Sequence, residues 1–83
     1  MRRPSDTEVA ALIRQGDALA AELGRKRKNG IPVPVQLPET AFGQWQYVPV
    51  CGGAEFELVV GNYKEFMFVL HWSSKTGAWV VDR

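Results

Sequence analysis

Hydrophobic residues recur at two periods along the chain, and the change of period divides it. Val9, Leu12, Ile13, Gly16, Leu19, Ala20 and Leu23 fall at spacings of three and four, one stripe of an amphipathic helix. Ser5 precedes Glu8 by three positions. At that spacing the serine hydroxyl meets an orphan amide and the glutamate reaches back, so a helix is expected from about residue 5. Asp6 and Glu8 also set negative charge against the positive end of its dipole. Gly16 lies inside the apolar stripe, where glycine costs about 1 kcal/mol against alanine. Its presence there predicts close approach to another element. Gly24 can stop the helix, or the helix can run through Arg25-Lys26-Arg27-Lys28 to Asn29-Gly30. The span expected is 5–27.

From residue 31 the period drops to two. Ile31, Val33, Val35 and Leu37 alternate with polar or prolyl positions, which predicts a strand over 31–37. Pro32 and Pro34 share a parity, so their missing donors fall on one side and the strand is expected at an edge with its rim blocked. Residues 39–43 are expected to turn. Aromatic and polar residues alternate over 44–50, with Pro49 confining that strand to an edge or a bulge. Cys51-Gly52-Gly53 suits a tight hairpin loop. Over 54–60, Phe56, Leu58 and Val60 take one face while Glu55, Glu57 and Val59 take the other. Phe66 to Trp72 is the most apolar run and is expected as the central strand, 65–72. It carries Phe66, Phe68, Leu70 and Trp72 on one face and Met67, Val69 and His71 on the other. A loop at 73–77 and a last strand at 78–82 complete the order.

The sum is an α+β domain spanning 1–83. One N-terminal amphipathic helix packs on a mostly antiparallel β-meander of about four to five strands, because short loops join antiparallel neighbours. The helix is expected to cover Phe56, Leu58, Phe66, Phe68, Leu70 and one or both of Trp72 and Trp79.

Composition narrows the function classes. A chain of 83 residues buries only about 60% of its unfolded surface, and a 46% hydrophobic fraction with three Trp suits a dense core and argues against disorder. Net charge is +1, so no global field recruits nucleic acid. The distribution is uneven: residues 1–30 hold seven Arg/Lys against four Asp/Glu, and residues 31–83 hold three against five. The single cysteine, Cys51, excludes an intramolecular disulfide and a cysteine metal cage. Without an apolar leader or a run near the ~20 residues of a membrane span, a cytoplasmic protein is expected. No cofactor or metal motif is present.

Four sets of residues can carry chemistry. The sheet face away from the helix would hold Val59, Met67, Val69, His71, Ala78 and Val80 with Glu55 and Glu57, and a contiguous exposed apolar patch on a small domain marks a binding surface. Half-wet antiparallel sheets are also ordinary, so the same face can simply be solvated. The run Arg25, Lys26, Arg27, Lys28, with Arg2 and Arg3, can neutralise phosphates or contact an acidic protein surface, and it equally suits the negative end of a helix dipole. Cys51 with His71 has the residue types of a nucleophile and base but lacks an orienting third group. Trp45, Trp72 and Trp79 can frame a pocket, although aromatics in so short a chain ordinarily fill the core.

These readings converge on a non-enzymatic protein that binds a protein or nucleoprotein partner stoichiometrically. The expected contacts are Arg25, Lys26, Arg27, Lys28, Glu55, Glu57, Met67, Val69, His71 and Val80. In size and in its lack of catalytic motifs the chain looks like small proteins of phages and mobile elements, many of which occlude a larger host complex. The alternative is direct nucleic-acid binding through residues 25–28. A homodimer on the second sheet face is compatible with either.

Overall fold

The computed structural model describes residues 3–32 and 36–82. Helix α1, Asp6–Lys28, starts at the anticipated box: the Ser5 hydroxyl accepts from the Glu8 amide and the Glu8 carboxylate accepts from the Ser5 amide. It passes Gly24 without a break. Asn29 caps its other end, and Gly30 takes φ +70°. The Gly30 amide then reaches the Arg27 carbonyl and the Ile31 amide reaches the Lys26 carbonyl. That pair of bonds satisfies two terminal carbonyls and requires the left-handed residue that glycine supplies.

The segment expected as a strand at 31–37 is corrected at its described ends. Ile31, Pro32, Gln36 and Leu37 are not in a strand, and residues 33–35, with Pro34, lie outside the described residues. Ile31 is held by the helix terminus, and Leu37 is buried in the core. A small hairpin follows where only a turn was expected: β1, Glu39–Thr40, pairs with β2, Gly43–Gln44. The Thr40 hydroxyl ties it by donating to the Gly43 carbonyl and accepting from the Phe42 amide. The strand expected over 44–50 is therefore divided. At the break the Trp45 amide donates to the Pro38 carbonyl, its ring is buried, and β3 covers Gln46–Val50.

A 3-10 turn at Cys51–Gly53 leads into β4, Glu55–Asn62. The expected central strand at 65–72 is shortened at its start. Tyr63–Phe66 forms a single helical turn, α2, capped by the Asn62 side chain on the Glu65 amide, and Met67 closes it in the left-handed conformation. Because β4 runs to Asn62 and Asn62 pairs with Phe68, the five residues between must coil back. β5 is Phe68–Ser73 and β6 is Ala78–Asp82. The four-stranded sheet is a pure antiparallel meander in the order β3-β4-β5-β6.

One long helix on antiparallel sheets of two and four strands is the expected α+β architecture. Val9, Leu12, Leu19 and Leu23 of α1 share one core with Phe56, Leu58, Val60, Phe68 and Leu70, with Phe66, Trp72 and Trp79 packed against it. The close approach at Gly16 is real: a methyl group there would overlap Trp79 Cη2 and come within 2.9 Å of Trp45 Cη2. Both indoles are anchored to the same stretch of helix. Trp45 Nε1 donates to Gln15 at 3.0 Å and Trp79 Nε1 to Asp17 at 2.8 Å. No described helix is long and apolar enough to cross a membrane.

Candidate functional site

Pairing registers place the open side of the sheet residue by residue. Gln46, Val59, His71 and Val80 form one row across the four strands. Val48, Glu57, Ser73 and Ala78 form the next, and Gly61, Val69 and Asp82 the one beyond. Alternation along each strand sends the neighbours of these residues to the helix side. The result is an apolar band of Val48, Val59, Val69 and Val80 around His71, with Glu57 at one end and Asp82 at the other. Val80 is 48% exposed and Val48 36%, while Val59, Val69 and His71 are half-buried by their cross-strand neighbours.

Glu55 sits on this side but is partly committed. Its carboxylate accepts from the Ser74 hydroxyl, which in turn accepts from the Phe56 amide at 2.9 Å. At the far corner the Tyr63 hydroxyl donates to Asp82. That bond, with a small burial effect and the Asp82 charge, pushes the phenol above its ordinary pKa.

The ten anticipated contacts do not form one surface. Glu55, Glu57, Val69, His71 and Val80 share the open face. Met67, expected there, sits instead in the left-handed turn after α2, which takes it out of the strand alternation. The basic segment lies at the other end of the sheet: Arg27 donates to the Gly53 carbonyl and its guanidinium lies 5.2 Å from the Phe56 ring centroid, on the helix side. Gly53 precedes β4 and Met67 follows it, so about 23 Å of strand, at ~3.3 Å per residue, separates them. Within the segment Lys26 pairs with Glu22 at 3.2 Å, whereas Arg25 and Lys28 project from exposed positions.

Cys51 and His71 are not brought together. His71 pairs with Val59, four residues along β4 from Glu55, which places it about 13 Å from the turn that holds Cys51. The three tryptophans pack against one another rather than framing a pocket, Trp45 edge-to-face with Trp79 at 5.8 Å and Trp72 tilted against Trp79 at 6.3 Å between centroids. Among the described residues no group of three His, Cys, Asp or Glu side chains is placed to hold a metal ion.

Two features had no expectation attached. A cleft of about 180 Å³ opens between α1 and the small hairpin, lined by Leu12, Gln15, Thr40 and Phe42 among others. It is smaller than the ~300 Å³ of a typical ligand pocket. Val48 also joins the open face; its place there was implicit in the alternation of 44–50, obscured by the aromatic residues of that segment. Comparison with family profiles, with curated proteins and with solved structures finds no match.

Proposed function

We propose that this chain is a non-enzymatic interaction protein whose working surface is the open face of the four-stranded sheet. The observation that carries this reading is the apolar band of Val48, Val59, Val69 and Val80, which α1 leaves uncovered while it covers the opposite face. Apolar side chains grouped on one exposed face gain most from burial against a partner. Carboxylates at both ends of the band, Glu57 and Asp82, suit a protein partner that presents an apolar ridge flanked by Lys or Arg. Binding is stoichiometric and cytoplasmic, and its effect is occlusion, in the manner of the small inhibitors of phages and mobile elements that cover a host nucleoprotein complex. A second copy is the competing occupant of the same band.

The test is affinity capture with the wild-type chain and with a Val59→Lys, Val69→Lys double variant, each checked for folding by circular dichroism. A partner retained in roughly 50 and 200 mM salt and lost with the double variant supports the reading. Equal capture by both chains sinks it.

A second reading rests on the exposed Arg25 and Lys28 at the end of α1. Nucleic acid held there would dissociate steeply with salt, by about one log-log slope unit per phosphate neutralised. Fluorescence anisotropy with labelled DNA and RNA at the two salt concentrations separates it from face binding.

A further inference from the structure

The two edges of the four-stranded sheet are built differently. β3 carries Pro49, which has no donor, and the small hairpin is joined to it through the buried Trp45. β6 reads Ala78-Trp79-Val80-Val81-Asp82, with no proline, glycine or lysine, and it pairs in unbroken register with β5 over all five residues. In an antiparallel ladder alternate residues turn their N–H and C=O away from the existing partner, so β6 presents a row of backbone groups that no described strand meets. Edge strands ordinarily carry a charge, bulge or proline against such pairing. Here the only charge is Asp82, at the end.

We infer that β6 is a dimerisation edge, pairing antiparallel with β6 of a second copy so that two four-stranded sheets join into one of eight. This goes beyond the open-face reading and does not depend on it. A second copy fits because the edge is complementary to itself. A two-fold axis through Val80 uses the whole strand and sets Val80 against Val80, Trp79 against Val81, and Ala78 against Asp82. Each pair serves a side chain left open in the single copy. Val80 is 48% exposed on one face, and Val81 is 36% exposed on the other, where it would cover the half-buried indole of Trp79.

Charge agrees with this register. Asp82 never faces its own equivalent; it lies opposite Ala78, beside the turn that holds Lys75 of the other copy, and the pairing occurs twice by symmetry. Like charges placed directly opposite would oppose pairing, and this arrangement avoids them. Five residues per copy make an interface below about 1,200 Å² in total, the size of weak, concentration-dependent contacts.

Sedimentation velocity of the full chain over a concentration series, up to about 1 mM, where a weak contact is populated, tests the inference. Expected is a monomer that becomes a dimer as concentration rises. Val81→Lys should raise the midpoint about tenfold or more, an energy of ~1.4 kcal/mol, whereas Val48→Lys on the opposite edge strand should leave it unchanged. Val80→Lys and Val80→Glu should each weaken self-association, and their equimolar mixture should restore it. All these positions are exposed, so folding persists. In the unmodified chain the outward amides of β6 should also gain hydrogen-exchange protection with concentration. A monomer throughout the series overturns the inference, as does a dimer indifferent to Val81→Lys. A dimer lost through Val48→Lys would move the contact to the open face. The Val59→Lys, Val69→Lys pair spares this edge, so failure of face binding and failure of the edge dimer read out separately.

Discussion

Val59 and Val60 are adjacent, identical in side chain and on the same strand, yet Val60 is 1% exposed and Val59 remains half-open. The difference is their cover. Val60 points toward α1 with Phe56 and Leu58, both buried, whereas Val59 points away with Glu55 and Glu57. Burial on this sheet is thus decided by which face receives the helix, and residue type only reports where the cover belongs. The helix side stabilises the fold. The other side contributes less to folding.

The largest expected contrast lies between two truncations on neighbouring residues. Leu58→Ala, at 0% exposure in the centre of the core, should cost about 2–5 kcal/mol through lost transfer energy and a cavity. Val59→Ala should cost less than about 1 kcal/mol, since solvent can fill the space. Urea denaturation of both variants measures the gap. Equal losses would mean that the open face is buried after all, and the proposal of a binding surface there would fall.

Gly16 sharpens the comparison from the helix side. Alanine there improves helix propensity by about 1 kcal/mol, but its methyl would overlap the Trp79 indole. Overpacking of this kind costs about 1–3 kcal/mol, so Gly16→Ala should be destabilising on balance. In a Trp79→Phe background the benzo ring nearest Gly16 is gone, and the same change should cost less, with the contact to Trp45 Cη2 at 2.9 Å still to be relieved. A double-mutant cycle by thermal or urea unfolding reads this coupling. Additive effects would show that the helix does not seat on Trp79.

Much of this could be read from residue order, and the exceptions have physical causes. The capping box, the apolar stripe and the place of the glycine within it were legible because each shows in residues spaced three or four apart. The alternation in β4 was legible because it is uninterrupted. Phe66 and Met67 continued the alternation of β5 in the sequence, so nothing local distinguished them from a strand. Only the pairing of Asn62 with Phe68 forces the chain to coil between them. The same blindness affected the basic segment. Four cations in a row look like one site, but Arg27 folds onto Gly53 and Phe56, 26 and 29 positions away. Partners that distant in sequence leave no periodic trace. Cover has the same character: the open face could be anticipated from the shortage of helices, but its outline required the registers.

At the start of α1, Ser5→Ala removes one half of the reciprocal cap and should cost about 1 kcal/mol, read as a lower urea midpoint with an unchanged slope. A change in slope would place the effect in the denatured chain instead.

The smallest effect belongs to the corner where the open face ends. The hydrogen bond to Asp82 raises the Tyr63 pKa, so the folded chain holds that proton more tightly than the unfolded one. The sign follows: any stabilisation is fully present below the unfolded value of about 10 and is lost as pH rises through the higher folded value. Tyr63 is exposed, so the contribution is small. Tyr63→Phe should therefore leave stability almost unchanged at neutral pH. The difference between the two chains should shrink only in strongly alkaline solution. Subtracting the variant's ultraviolet phenolate titration from that of the parent isolates Tyr63. An ionisation at or below the ordinary tyrosine value would show that Asp82 does not engage it. If the titration instead moves upward with protein concentration, the strand that ends in Asp82 is responding to a second copy, and the corner becomes a reporter for the β6 edge.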